Sequence, residues 1–173
     1  MTTTARSLLL IGAVGVGKTT VTGAVEDLLA ERGTAGAAID LDQIRRAWPA
    51  PSQDRFQQGL ELENLAAMSR IYRARGALVL VAAGVIEERE HRAAYEEAFG
   101  CALTVVRLTG PRDVVRERLH RRHADDEERL AWHLERFDEL TAILNAAQIQ
   151  DVTLEIDATP RGTAERLLDL CGL

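Results

Sequence analysis

The chain has 173 residues, 46% of them apolar and 28% charged, with a formal net charge of −6. That size and composition suit a single globular domain spanning 1–173, large enough to bury a core. The acidic balance provides no broad basic field for a nucleic-acid backbone, so bulk nucleic-acid binding is not expected. No stretch approaches the roughly 18 apolar residues of a membrane span, and the apolar run behind Arg6 leads into a glycine-rich stretch rather than a cleavage site. Cys101 and Cys171 stand apart from each other and from the histidines, as buried thiols in a reducing compartment do. A cytoplasmic protein, monomeric or homodimeric, is the expectation.

In chain order, the apolar run Leu8-Leu9-Leu10-Ile11 predicts a buried strand over about 7–12. A helix follows over about 17–32, its apolar positions Val21, Ala24, Val25, Leu28 and Leu29 recurring at helical spacing. Gly33 and Gly36 end it. Ala37-Ala38-Ile39-Asp40 reads as a second strand, followed by a short helix from Asp42 that Pro49 and Pro51 close. Helical spacing returns over about 53–74, and Ala77 to Val81 is the clearest buried strand. A charged helix is predicted over about 87–98, a fourth strand over Leu103–Leu108, and a helix from Pro111 rich in arginine. A polar connection at Ala124–Glu128 leads to a long helix reaching about 147. Val152–Ile156 is a fifth strand, and Thr159-Pro160 starts the last helix. Strands alternating with helices predict an α/β fold, a five-stranded parallel sheet with helices on both faces.

The first strand and helix are joined by Gly12-Ala13-Val14-Gly15-Val16-Gly17-Lys18-Thr19, a glycine, four free positions and Gly-Lys-Thr. This is the P-loop spacing in the strand–turn–helix context it requires. Glycines let backbone N–H groups of Gly12, Val14, Gly15, Val16 and Gly17 approach an anion, and the helix N-terminus at Lys18, Thr19 and Thr20 favours negative charge. Lys18 would reach the β- and γ-phosphates of ATP and Thr19 would hold Mg²⁺. Lys18 is also the only lysine among 21 basic residues, placed where a compact ammonium suits better than a planar guanidinium. A guanine-recognition Asn-Lys-x-Asp motif is absent, which favours ATP over GTP.

Ligands of such sheets bind at the carboxyl ends of the strands. The turn after the second strand reads Asp40-Leu41-Asp42-Gln43-Ile44-Arg45. A carboxylate there can take the proton of an attacking hydroxyl, and an arginine one turn on can clamp an anionic group. Asp42 as a mere helix cap is the competing reading. Arg118 and Arg122 share one helical face; a resemblance to small P-loop kinases, which place lid arginines in this position, implies a short lid over about 116–130, with a solvated helix face as the alternative. The four histidines show no metal-ligand spacing and are expected at the surface, and Trp48 and Trp132 are expected to pack.

With these motifs the sequence resembles the adenylylsulfate-kinase-like branch of the P-loop small kinases, a group whose second strand ends in Asp-x-Asp-x-x-Arg. Similar turns occur in polynucleotide 5′-kinases, chloramphenicol phosphotransferase and zeta-type toxins. The resemblance implies Asp42 as catalytic base, Asp40 beside Mg²⁺-bound water, and Arg45 on the substrate or the phosphoryl group. It also implies Asn64, Arg89 and Arg92 on the acceptor side. The Ser-Pro-Tyr-Arg segment of adenylylsulfate kinases is replaced by Ile86-Glu87-Glu88-Arg89, and the third strand ends in Ala82 and Ala83 without an acidic residue. The expected activity is transfer of the γ-phosphoryl group of ATP to a hydroxyl of a small molecule. The acidic pair suggests an acceptor with cationic groups. An ATP-hydrolysing switch and a non-catalytic ATP-binding module are the alternatives.

Overall fold

The computed structural model describes residues 5–54 and 56–173. Five strands, β1 (Arg6–Ile11), β2 (Gly36–Asp40), β3 (Val79–Ala83), β4 (Leu103–Thr109) and β5 (Val152–Glu155), form one sheet in the order β2-β3-β1-β4-β5. Every pairing is parallel, with Leu8 opposite Val81 and Thr104, and Ile39 opposite Ala82. The helices are α1 (Lys18–Glu31), α2 (Leu41–Ile44), α3 (Gln58–Ala74), α4 (Arg92–Phe99), α5 (Arg112–Arg122), α6 (Glu127–Ala147) and α7 (Pro160–Cys171).

The two faces of the sheet follow from the two-residue period of a strand. Leu8 and Leu10 of β1 point to α1 and α7, joined by Val106 and Leu108 of β4 and by Val25, Leu167 and Leu168. Leu9 and Ile11 point the other way, into a core with Leu65, Tyr95, Phe99 and Leu144 from α3, α4 and α6. A third cluster, Ala13, Val115, Leu119, Phe137 and Leu140, packs the glycine-rich loop against α5 and α6. Because β1 is central and buried on both faces, the turn that follows it is held from below by the whole sheet.

Two helices begin later than their apolar spacing predicts. α3 starts at Gln58 because the Asp54 carboxylate accepts from Gln58 N at 2.8 Å and Gly59 N at 2.9 Å, closing a turn ahead of the helix. The charged helix expected from about 87 is a single 3-10 turn, Arg89–His91, followed by α4. The Glu87 side chain is drawn across to Arg136 of α6, and Arg89 donates to the carbonyls of Ala147 and Gln148. These contacts hold the segment open rather than helical. Among the described residues no helix is long and apolar enough to cross a membrane.

Candidate active site at the carboxyl ends of β1 and β2

The loop from Gly12 to Gly17 is shaped by close packing. A Cβ on Gly12 would lie 2.6 Å from the Leu108 carbonyl oxygen, and Gly17, the residue capping α1, has φ of 102°. No side chain caps α1 and no acidic residue occupies its first turn. The unpaired amides of that turn therefore carry their partial positive charge toward the open side of the loop. Lys18 folds back over the loop, its Nζ donating to Gly12 O at 2.9 Å and Ala13 O at 3.3 Å. Burial pushes its pKa down to about 8, against the pull of Asp42 and Asp40 in the opposite direction.

The turn after β2 comes alongside. Thr19 Oγ1 donates to Asp40 Oδ2 at 3.1 Å, and the other oxygen of Asp40 accepts from Asp42 N at 3.0 Å. Asp40, the predicted second-sphere carboxylate, is thus also the cap of α2. Thr19 and Asp40 form a pair of oxygen donors of the kind a hard cation such as Mg²⁺ takes. Asp42 is largely exposed and is paired with Arg45. Arg45 in turn lies 3.1 Å from Glu61, a glutamate of α3 that is 1% exposed. Glu61 also accepts from the Tyr95 hydroxyl at 2.6 Å. Burial raises the pKa of Glu61, and burial together with the Glu61 charge raises that of Tyr95.

Lys18, Thr19, Asp40 and Asp42 open on one cleft of about 570 Å³, whereas Arg45, Glu61 and Tyr95 stand behind Asp42 and do not line it. Val14, Gly15, Val16, Gly17, Lys18, Thr19 and Thr20 form its floor, Asp40, Asp42 and Gln43 one wall, and Arg118 and Arg122 of α5 another. Arg118 reaches the loop itself, donating to Val16 O at 3.4 Å. Asp157 and Pro160, after β5, close the far end. Where a lid over about 116–130 is expected, α5 and α6 are joined by the short turn 123–126, whose Asp126 caps α6 by accepting from Arg129 N at 2.9 Å.

Several expected residues lie elsewhere. Asn64 gives its amide to Ile44 O at 2.6 Å, tying α3 to the end of α2 instead of facing an acceptor. Arg89 and Arg92 are spent on the C-terminal end of α6 and the segment after it, on Ala147, Gln148, Ile149 and Asp151, because those carbonyls and that carboxylate are the nearest acceptors. The acidic pair also loses its force, since Glu87 is neutralised by Arg136. Trp48 is 89% exposed and does not pack. His123, expected at the surface, is buried and stacked on His133 with ring centroids 4.2 Å apart. The sequence reading missed Glu61. The signal was available: Glu61 shares the buried face of α3 with Leu65 and Ser69 at helical spacing, and a glutamate on an apolar face is costly unless paired.

A parallel sheet of this order, with Gly-x-x-x-x-Gly-Lys-Thr after its central strand, is the nucleotide-binding fold of the P-loop proteins. Residues 8–147 match the AAA_33 family, an AAA domain, and the chain belongs to that family. No curated protein sequence is significantly similar to it. Among solved structures, it is similar to the tunicamycin resistance protein of Deinococcus radiodurans, with a TM-score of 0.67 and 19% identity over 98% of this chain and 96% of that one. The shikimate kinase of Acinetobacter baumannii in complex with shikimate gives a TM-score of 0.60 and 22% identity over 97% and 93%. The APS kinase of Mycobacterium tuberculosis in complex with AMPPNP and APS gives 0.59 and 21% over 98% and 99%. At these identities what is shared is the fold, and it is the fold that the motif resemblance to P-loop small-molecule kinases implies.

Proposed function

We propose that the protein is an ATP-dependent kinase that transfers the γ-phosphoryl group to a hydroxyl of a small molecule. The observation that carries this reading is the junction of the two turns. Lys18 and Thr19 of the loop share a cleft with Asp42, and Thr19 is bonded directly to the Asp40 cap that positions it. A site meant only to bind a nucleotide has no need of a carboxylate and an arginine braced beside the phosphate loop.

In this reading the loop amides and Lys18 hold the β- and γ-phosphates of ATP, and Asp42 accepts the proton as the acceptor oxygen attacks the γ-phosphorus. The bond from that phosphorus to the β,γ-bridging oxygen breaks and ADP leaves. Arg45, held by Glu61, orients the acceptor or the transferring group, and Arg118 and Arg122 spread the charge that develops on it. Mg²⁺ held by Thr19, with Asp40 behind it, would supply charge neutralisation between the phosphates. The fold occurs with AMPPNP and with the small polar acceptors shikimate and APS in the kinases that carry those names, which supports a small polar acceptor here.

The test is Asp42→Asn in an ADP-release screen over hydroxylated metabolites and antibiotics. ATP binding is expected to survive and transfer to fall about 10²–10⁴-fold, the usual contribution of a general base. Transfer at the wild-type rate in that variant would remove Asp42 from the mechanism. ATP turnover that needs no acceptor and ignores Asp42→Asn would replace transfer by hydrolysis.

A further inference from the structure

A second cleft, of about 450 Å³, lies on the other flank of the loop, between α6 and the C-terminal end of β4. Its lining includes the side chain of Arg107, which is 7% exposed. Arg107 follows Val105 on the face of β4 that is turned to α6, where a strand of this sheet otherwise buries apolar side chains. Nη2 of Arg107 donates to Asn145 Oδ1 at 2.8 Å, and its buried Nε has no partner among the described residues. No ion pair holds this guanidinium among the described residues, and burial lowers its pKa with no carboxylate acting against it. A buried cation without a counter-ion is among the most costly arrangements a fold can keep. The one carboxylate of the cleft, Asp138, is already shared by Arg112 at 2.6 Å and Arg116 at 3.7 Å. The cleft is therefore positive, with the fixed guanidinium at its base and an apolar side formed by Ala13, Val16, Phe137 and Ala142.

We propose that this cleft binds a small organic carboxylate, its oxygens on Arg107 and its apolar body against Phe137 and Ala142. A guanidinium presents paired N–H donors that match a carboxylate. The apolar wall selects an anion with a hydrocarbon body over a bare inorganic one. Val16 lines this cleft and the larger one alike, so an occupant would rest against the back of the phosphate loop. The site is separate from the proposed acceptor side, which lies on the α2 and α3 flank.

The test measures binding of benzoate, hexanoate, acetate and inorganic phosphate to the full chain by calorimetry at fixed ionic strength. In the binding that depends on Arg107, benzoate or hexanoate is expected to be held more tightly than acetate or phosphate. Arg107→Met is expected to weaken that binding by about tenfold or more, the loss of a charge-assisted bidentate contact. Ala142→Phe, which fills the cleft from the exposed side of α6 and leaves Arg107 in place, is expected to do the same. Arg122→Ala, which removes a cation lining the first cleft and not this one, is expected to leave it unchanged. The circular dichroism spectrum checks that each variant is folded. No carboxylate binding to the wild-type chain overturns the proposal, as does binding that survives both cleft variants or is lost with Arg122→Ala. Phosphate binding that is lost in Arg107→Met and is tighter than that of the carboxylates overturns the ligand class.

Discussion

The turns after β1 and β2 face the same cleft and are held by different means. The first is built from its own backbone. Its glycines allow close approach to Leu108, its helix starts without a side-chain cap, and Lys18 bonds only to carbonyls of the same loop. The second depends on side chains from three elements. Asp42 leans on Arg45, Arg45 on Glu61 of α3, and Glu61 on Tyr95 of α4. A phosphate is a fixed shape that a fixed run of amides can fit. In the proposed reaction the acceptor hydroxyl is met by the Asp42 turn, which is aligned by a separate helix pair and tied to the loop through Asp40 and Thr19. In this protein the phosphate-loop half of the site is local in sequence and the half around Asp42 is not.

Paired substitutions test that division most strongly. Lys18→Met is expected to impair both nucleotide binding and transfer, whereas Asp42→Asn is expected to spare binding and cost about 10²–10⁴-fold in transfer. Equal loss of ATP binding in both variants, measured by calorimetry, would merge the two halves.

A smaller effect is expected from Tyr95→Phe, which leaves one oxygen of the buried Glu61 without its 2.6 Å donor. The cost is about 1–3 kcal/mol in denaturant unfolding. The KM for the acceptor should rise through the loosened Arg45 while ATP affinity stays as it was. A change confined to ATP would contradict the assignment of this network to the acceptor half.

On the nucleotide side, Thr159 caps α7 by accepting from Gly162 N at 3.1 Å. Thr159→Ala is expected to cost about 1 kcal/mol. Acceptor KM should not move.

A further expected effect is a slope with pH. Lys18 has a folded pKa lowered to about 8 from 10.5, so between those values the unfolded chain binds the extra proton. The contribution of Lys18 to the stability of the nucleotide-free protein should therefore rise as pH climbs from about 8 toward 10. The penalty of burying the charged ammonium is full below about 8 and is relieved above it. In Lys18→Met that rise should be lost, leaving the opposite slope of Cys171 and Tyr95, whose pKa values burial raises. Bound ATP should flatten the Lys18 rise by raising the pKa of Lys18 again.

What could be read from the residue order is what depends on near neighbours. The five strands show as apolar runs, the parallel sheet as their alternation with helices, and the phosphate loop as glycines and Lys18 at fixed spacing. Each of these is decided by φ/ψ preferences and by burial along a few residues, so position in the chain is enough. Asp40, Asp42 and Arg45 were legible for the same reason, as one turn at one strand end. Contacts between elements distant in sequence were not. Glu61 became the anchor of Arg45 only when α3 packed beside α2. Asn64, Arg89 and Arg92 were recruited by backbone carbonyls, and Glu87 by Arg136 of α6. A long polar side chain bonds whatever acceptor tertiary packing brings within about 3 Å, and sequence spacing says nothing about that. Arg107 is the sharpest case. In the sequence it is one arginine in a strand, and only the packing of α6 over β4 made it a buried cation facing a cleft.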